Sequence, residues 1–164
     1  MAEGTLGASR GQDRTLGLTG GCQCGAVRYA LYAAPVRGNI CHCGMCRKAS
    51  GGYFAAFTGV KLENFAWTKG EPGVFRSSVL AERGFCRDCG TPLFFRYVET
   101  NRIAVTVGSL DDPAAAGLPE KQYGVESRLP AFFALASLPE QTTDEALPAA
   151  WREKLQASPP AEPQ

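Results

Sequence analysis

The sequence predicts a mainly β protein, built from small sheets with little helix and organised around bound metal. All seven cysteines lie in three short clusters, and short alternating apolar runs separate the clusters. A chain of 164 residues is long enough for one domain with a real core. The clusters are Cys22 with Cys24, then Cys41, Cys43 and Cys46, then Cys86 with Cys89.

Three segments differ in composition and predict the domain organisation. Residues 1–19 are rich in glycine, serine, threonine and charge, which predicts a flexible leader. Residues 20–140 contain every cysteine and form the predicted metal-binding domain. Residues 141–164 predict a short helix, on which Trp151 and Leu155 share a face, followed by a disordered proline-rich end.

Alternating apolar and aromatic residues predict the strands, taken in chain order. A three-residue join predicts that two of them form a hairpin. By contrast, Arg47–Gly52 predicts a polar, glycine-rich loop, and Lys61–Gly73 predicts turns. The predicted strands are Ala26–Tyr32, Tyr53–Phe57, Val74–Leu80, the hairpin pair Leu93–Val98 and Arg102–Val107, and the start of Lys121–Leu138, which then becomes irregular.

The spacing of the cysteines favours metal binding over disulfides. Cysteines with one or two intervening residues rarely reach the geometry that a disulfide needs. In an extended segment, residues i and i+2 point to the same side, so each C-x-C can present two sulfurs to one ion. His42, the single histidine, lies between Cys41 and Cys43 and is expected to point away from that ion.

Seven thiols divide into four plus three. Structural zinc takes four ligands, whereas catalytic zinc keeps one position open. The preferred division gives a closed structural site on Cys22, Cys24, Cys86 and Cys89, and an open catalytic site on Cys41, Cys43 and Cys46. An alternative joins Cys41 or Cys43 and Cys46 to Cys86 and Cys89, which leaves the first pair as an incomplete site.

An open zinc site suits chemistry between a thiol and a carbonyl. Zinc can polarise an aldehyde oxygen or hold a thiol as thiolate at neutral pH. Two other functions stay open: a binding module without turnover, and a redox sensor that uses Cys43 and Cys46. The basic residues nearest the clusters are candidate partners for thiolate charge, although each alone is more often a solvated surface residue; they are Arg47, Lys48, Arg83 and Arg87.

Composition excludes several function classes. A formal net charge of +1 gives no electrostatic basis for binding nucleic acid or a membrane surface. With one histidine, no Ser-His or Cys-His catalytic pair can be named. No run approaches the roughly 20 apolar residues of a membrane span, and no export signal is visible. An odd number of free thiols then predicts the reducing cytoplasm.

Three cysteine motifs and a later turn resemble those of the glutathione-dependent formaldehyde-activating enzyme family, which includes centromere protein V-like proteins. The resemblance covers residues 20–139, but the histidine and tryptophan that the family often carries after the turn are missing. The matching segments are Gly21–Tyr29 (GCQCGAVRY), Cys41–Lys48 (CHCGMCRK), Phe85–Leu93 (FCRDCGTPL) and Gly108–Pro113 (GSLDDP).

The resemblance implies an Mss4-like fold, with a structural zinc on the four cysteines and a catalytic zinc on the three. It also implies a carbon–sulfur lyase that joins glutathione to formaldehyde as an S-hydroxymethyl adduct, or runs the reverse reaction. Arg47 or Lys48 is then expected to attract a glutathione carboxylate. The loop Arg47–Gly52, with Tyr53 and Phe54, is expected to shape the mouth of the site.

Overall fold

The computed structural model describes residues 17–157, and within that range the chain is mainly β, as predicted. Its α-helices are α1 (Gly44–Ser50), α2 (Thr143–Ala146) and α3 (Ala149–Ala157). The strands of this range are β1 (Leu18–Gly21), β2 (Arg28–Leu31), β3 (Val36–Cys41), β4 (Ala55–Lys61), β5 (Phe65–Lys69), β6 (Gly73–Arg76), β7 (Ala81–Phe85), β8 (Pro92–Tyr97), β9 (Arg102–Thr106) and β10 (Lys121–Tyr123).

The strands form two sheets. The smaller one has the order β1-β2-β5, and the larger one has the order β10-β3-β4-β9-β8-β7-β6. Only the pairing of β10 with β3 is parallel among these strands; the other pairings are antiparallel. In the larger sheet, β3 ends at Cys41 and β7 ends immediately before Cys86, so this sheet leads into the second and third cysteine clusters, while β1 of the smaller sheet leads into the first.

The main core lies between the two sheets. Tyr29, Leu31 and Val105 have no exposed surface, and Tyr29 stacks on Phe65 and meets Trp67 edge to face. The hydroxyls of Tyr29 and Ser109 share a hydrogen bond of 2.9 Å, so the buried phenol keeps a polar partner. Two cysteines belong to this core, which is formed by Cys22, Val27, Tyr29, Leu31, Val60, Cys86, Leu93, Phe94, Ile103, Val105 and Leu110.

A second, smaller core lies beneath α1. It consists of Cys46, Ala55 and Phe57, with Phe95 packed against it. Cys46 enters this core from α1, while the other residues come from strands of the larger sheet. The middle cysteine cluster therefore packs against a small apolar core of its own.

The predicted hairpin is confirmed. Strands β8 and β9 pair antiparallel, with Phe94 opposite Val105 and Phe95 opposite Ala104. Strands also form in the first two predicted segments, but β2 begins later than predicted and β4 runs on to Lys61. Strand β10 occupies the start of the predicted irregular segment, and turns follow it.

Two strands lie where the sequence predicted something else. Phe65–Lys69 forms β5, because Phe65 and Trp67 bury their rings against Tyr29 and so override the neighbouring turn residues. The predicted strand Val74–Leu80 ends at Arg76, and the chain turns and forms β7 instead. The sequence did not predict β7, because the charged residue Arg83 occupies one of its buried positions and interrupts the alternation of apolar residues.

The prediction of a loop at Arg47–Gly52 is wrong, because most of this segment belongs to α1. The Cys43 sulfur caps this helix by accepting a hydrogen bond of 3.4 Å from the Cys46 backbone N–H. Serine, threonine, asparagine or aspartate usually fills this role, so a cysteine gives no helix-start pattern to read. Gly51 ends the helix in the left-handed region, with φ of 68°.

The two ends of the described range agree only in part with the segments predicted from the sequence. Strand β1 includes Leu18 and Thr19, which were assigned to the leader, while residues 1–16 and the predicted tail 158–164 lie outside the described residues. Helix α3 forms after Pro148 as predicted, although Trp151 and Leu155 stay largely exposed. No helix within residues 17–157 is both long enough and apolar enough to cross a membrane.

Candidate metal centres

The first candidate centre brings together two cysteine pairs from distant parts of the chain. Cys22 and Cys24 follow β1, and Cys86 and Cys89 lie in the turn between β7 and β8. All four sulfur atoms lie within 4.8 Å of one another. The Cys22 and Cys24 sulfurs are 3.5 Å apart, and the Cys24 and Cys86 sulfurs are 3.7 Å apart.

This donor set fits a zinc ion. Tetrahedral zinc with Zn–S bonds of about 2.3 Å places its sulfurs about 3.8 Å apart, close to the observed spacings. The Val27 backbone N–H donates to the Cys22 sulfur at 3.2 Å, which supports the ligand from outside. Gly25 and Gly90 follow the two pairs with φ of 73° and 76°, where a side chain would be strained.

Hydrogen bonds favour a thiolate at Cys89. The Thr91 hydroxyl lies 3.1 Å from the Cys89 sulfur, and this contact together with the Thr91 backbone lowers the pKa of Cys89 to about 6. The same hydroxyl accepts a hydrogen bond from the Gln23 backbone N–H, so Thr91 joins both halves of the centre. The first centre is therefore held by local backbone and hydroxyl groups.

The second candidate centre is formed by Cys41, Cys43 and Cys46, whose sulfur atoms all lie within 4.8 Å of one another. Cys41 is the last residue of β3, Cys43 caps α1, and Cys46 lies in the first turn of that helix. The strand-to-helix turn thus aims three sulfurs at one point. Three thiolates fit a zinc ion whose fourth position is left to another ligand.

The protonation of these thiols is uneven. Burial, followed by the neighbouring sulfurs, raises the pKa of Cys41 to about 12. Burial also opposes ionisation of Cys43, but hydrogen bonds from the Cys46 backbone and from the neighbouring thiols lower the Cys43 pKa. Metal binding requires all three as thiolates, so it displaces the protons that remain.

His42 is not part of either centre. It is fully buried, packs edge to face on Phe54 and Phe132, and shares a hydrogen bond of 2.9 Å with Gln122. Its Nδ1 lacks a partner among the described residues. The alternative division of ligands also does not occur, because Cys46 does not lie with Cys86 and Cys89.

The three-cysteine centre opens into a cavity of about 520 Å³, and all three of its cysteines line that cavity. No aspartate or glutamate is among the lining residues of residues 17–157. Aromatic lining comes from Phe57, Phe95, Tyr97 and Tyr123. Basic lining comes from four arginines, which are Arg37, Arg83, Arg96 and Arg102. The space beside the sulfurs is therefore roomy and positively charged.

Four residues expected at the mouth of the site do not line this cavity. The Arg47 guanidinium donates to the Ser127 backbone carbonyl at 2.9 Å, and the Lys48 side chain is exposed. Neither residue lines the cavity, nor do Tyr53 and Phe54. The role of Arg47 and Lys48 toward a substrate stays a prediction, but the cavity offers other arginines.

Among the basic residues named from the sequence, Arg83 is the one that contacts a cysteine sulfur. Its Nη2 donates to the Cys46 sulfur at 3.3 Å. Sequence reasoning missed Arg37, Arg96 and Arg102, which come from three different strands. Arg96 and Arg102 lie in the predicted hairpin, but no local motif adds Arg37 to them, because it reaches the cavity through the register of the larger sheet.

Comparisons with known proteins agree with this geometry. Residues 17–125 match the family described as glutathione-dependent formaldehyde-activating enzyme. A Schizosaccharomyces pombe protein named as an uncharacterized lyase is 33% identical over 78 residues, which make up 48% of this chain and 56% of that protein. The chain thus spans about half the length of this curated relative.

A solved structure shares the fold. The crystal structure of a Rhodobacter sphaeroides protein matches with a TM-score of 0.52 at 22% identity. The match covers 64% of this chain and 99% of the other. It supports the mainly β architecture, with which the expected Mss4-like arrangement is in keeping.

Proposed function

Because the chain belongs to the glutathione-dependent formaldehyde-activating enzyme family, we propose that it is a zinc-dependent carbon–sulfur lyase. It joins a thiol, glutathione, to a small aldehyde such as formaldehyde, or runs the reverse reaction. The observation that carries the proposal is a set of three sulfurs that faces a cavity of about 520 Å³. A purely structural centre has no need of such an opening.

The reaction is an addition without a redox step. A sulfur–carbon bond forms, the carbonyl double bond becomes a single bond, and the thiol proton moves to the carbonyl oxygen. Zinc at Cys41, Cys43 and Cys46 would supply a Lewis acid and a position for a thiolate. The cavity walls then hold the two reactants together, and orientation is a large part of catalysis for such a simple step.

The charge of the cavity supports glutathione as the thiol. Glutathione carries two carboxylates, and arginine recognises carboxylates through paired N–H donors. Arg96 already pairs with Glu82, whereas neither Arg37 nor Arg102 takes part in an ion pair among the described residues. Arg37 and Arg102 are therefore the proposed carboxylate contacts.

We also place the enzyme in the cytoplasm, with zinc in both centres. All seven cysteines are free in the structure, none joined in a disulfide. A reducing compartment keeps such thiols available for metal. The four-cysteine centre is then the structural site and the three-cysteine centre the catalytic one.

Exchange spectroscopy tests the proposed function directly. Zinc-loaded full-length protein is expected to speed the exchange between free glutathione and S-hydroxymethylglutathione above the spontaneous rate. The rate is measured by NMR magnetisation transfer in a mixture of glutathione and formaldehyde. The same measurement is then repeated with other small aldehydes in place of formaldehyde. Absence of acceleration with every aldehyde, while zinc is retained, would overturn the lyase proposal and favour a binding module.

Arg102→Met is expected to raise the KM for glutathione about tenfold and leave kcat nearly unchanged, because it removes one carboxylate contact worth about 1.4 kcal/mol. The measurement is steady-state kinetics with glutathione and with 2-mercaptoethanol, which has no carboxylate. Arg76→Met serves as the matched control, because Arg76 is an exposed arginine outside the cavity. Equal losses with both thiols would contradict the assignment.

A further inference from the structure

Arg83 is an unusual residue in this fold. It is 9% exposed, and it is the only arginine, lysine, aspartate or glutamate that is buried among residues 17–157. Removing a charged group from water is costly unless an opposite charge or good hydrogen bonds replace the water. None of the ion pairs of the described residues includes Arg83.

The contacts of Arg83 converge on the three-cysteine centre. Its Nη2 donates to the Cys46 sulfur at 3.3 Å, and its Nε donates to the Ser77 hydroxyl at 3.1 Å. Phe95 lies directly opposite in β8, and the guanidinium carbon is 5.0 Å from the centre of its ring. The side chain is thus held in place on three sides.

The carboxylate next to Arg83 in sequence pairs with other residues. Glu82 precedes Arg83 in β7, so its side chain points to the other face of the sheet. There it forms ion pairs with Arg76 and Arg96. Among the hydrogen-bond partners of Arg83 in the described residues, the Cys46 sulfur is the one that can carry negative charge.

We propose that Arg83 is the built-in counter-cation of the three-cysteine centre and the positioning residue for Cys46. This inference rests on the part of the proposed function that puts a divalent metal on the three thiolates. Three thiolates and a divalent ion carry a single negative charge. One buried guanidinium balances that charge and explains why Arg83 has no carboxylate partner.

The two centres differ in the groups that contact their sulfurs. The four-cysteine centre is supported by the Val27 backbone and by Thr91, and its Cys89 is exposed to solvent. Arg87, the basic residue beside it, is exposed as well. Loss of Arg83 should therefore weaken metal binding at one centre and leave the other unchanged.

Arg83→Met tests this selectivity without any substrate. In competition with a chromogenic chelator, the variant is expected to release one zinc per chain at about 10–100-fold lower chelator than wild type, as is usual when a group supporting a metal ligand is lost. The other zinc should be retained as in wild type. With cobalt in place of zinc, the thiolate-to-cobalt bands of one centre should shift. Arg83→Lys keeps the charge and should recover part of the affinity.

Arg96→Met is the matched control, because Arg96 lines the same cavity but pairs with Glu82 rather than with a sulfur. Unchanged zinc release in Arg83→Met, or an equal change in Arg96→Met, would overturn the inference. If Arg83→Met unfolds in circular dichroism, Arg83→Gln, which removes the charge but keeps a polar side chain, decides: weakened binding at one centre supports the inference, and wild-type binding overturns it. The two proposals can fail separately. If wild-type protein shows no lyase activity but its zinc binding still depends on Arg83, the lyase function is refuted and the inference about Arg83 stands.

Discussion

Cys86→Ser is expected to unfold the protein. Cys86 is 1% exposed and belongs to the main core, and its sulfur lies 3.7 Å from that of Cys24. Structural zinc contributes roughly 10–16 kcal/mol of apparent binding energy at neutral pH. A domain is stable by only about 5–15 kcal/mol, so loss of this ion removes most or all of the folding free energy.

Circular dichroism and zinc analysis measure this effect together. Cys86→Ser should lack a cooperative thermal transition at 25 °C and above, and a strong chelator should produce the same state from wild type. The expected loss also depends on pH, because the ligands bind zinc as thiolates and protonation releases it as the pH falls. A cooperative transition within a few degrees of wild type would show that this centre does not hold the fold together.

Cysteine spacing made the grouping of the sulfurs predictable, because each cluster is local in sequence. Cys22 and Cys24 lie two residues apart, and Cys86 and Cys89 lie three apart, so each pair is readable without any long-range information. The need for four ligands then joins the two pairs, and the structure brings the same four sulfurs together. The hairpin of β8 and β9 was readable for a similar reason, since a short join fixes its register.

The cavity was not predictable, because its walls depend on sheet register. Arg96 in β8 and Arg102 in β9 belong to the predicted hairpin, but Arg37 lies in β3, which reaches them only when the larger sheet has formed with β4 between β3 and β9. Arg37 also has a positive φ of 61°, beside a register shift in β3. Nothing in the local sequence marks either feature, whereas the finished sheet places these arginines beside the sulfurs.

The helix α1 was missed because the metal chemistry and the helix start use the same residues. Cys43 is a cap and a candidate ligand, and Cys46 supplies both the capped N–H and the buried sulfur. The cysteine spacing therefore indicates a metal site but gives no sign that a helix begins at the same residues. The consequence is functional, because the first helical turn fixes the direction of the Cys46 sulfur toward Arg83.

Cys46→Ser is expected to abolish turnover and leave the fold largely intact. The sulfur is one of only three protein ligands, so its loss should remove the metal from that centre and lower the lyase rate by more than about a hundredfold. The helix cap is kept, since it uses the Cys43 sulfur and the Cys46 backbone N–H. The cluster that Cys46 joins is the smaller one, separate from the core that contains Cys86.

The comparison with Cys86→Ser makes this test decisive, because the two variants carry the same atomic change at different centres. Cys46→Ser should bind one zinc per chain instead of two, unfold cooperatively, and fail to accelerate the glutathione–formaldehyde exchange. Cys86→Ser should lose the fold itself. Wild-type exchange rates in Cys46→Ser would refute a catalytic role for the three-cysteine centre. Loss of folding in both variants would instead make that centre structural as well, and the cavity beside it would need another explanation.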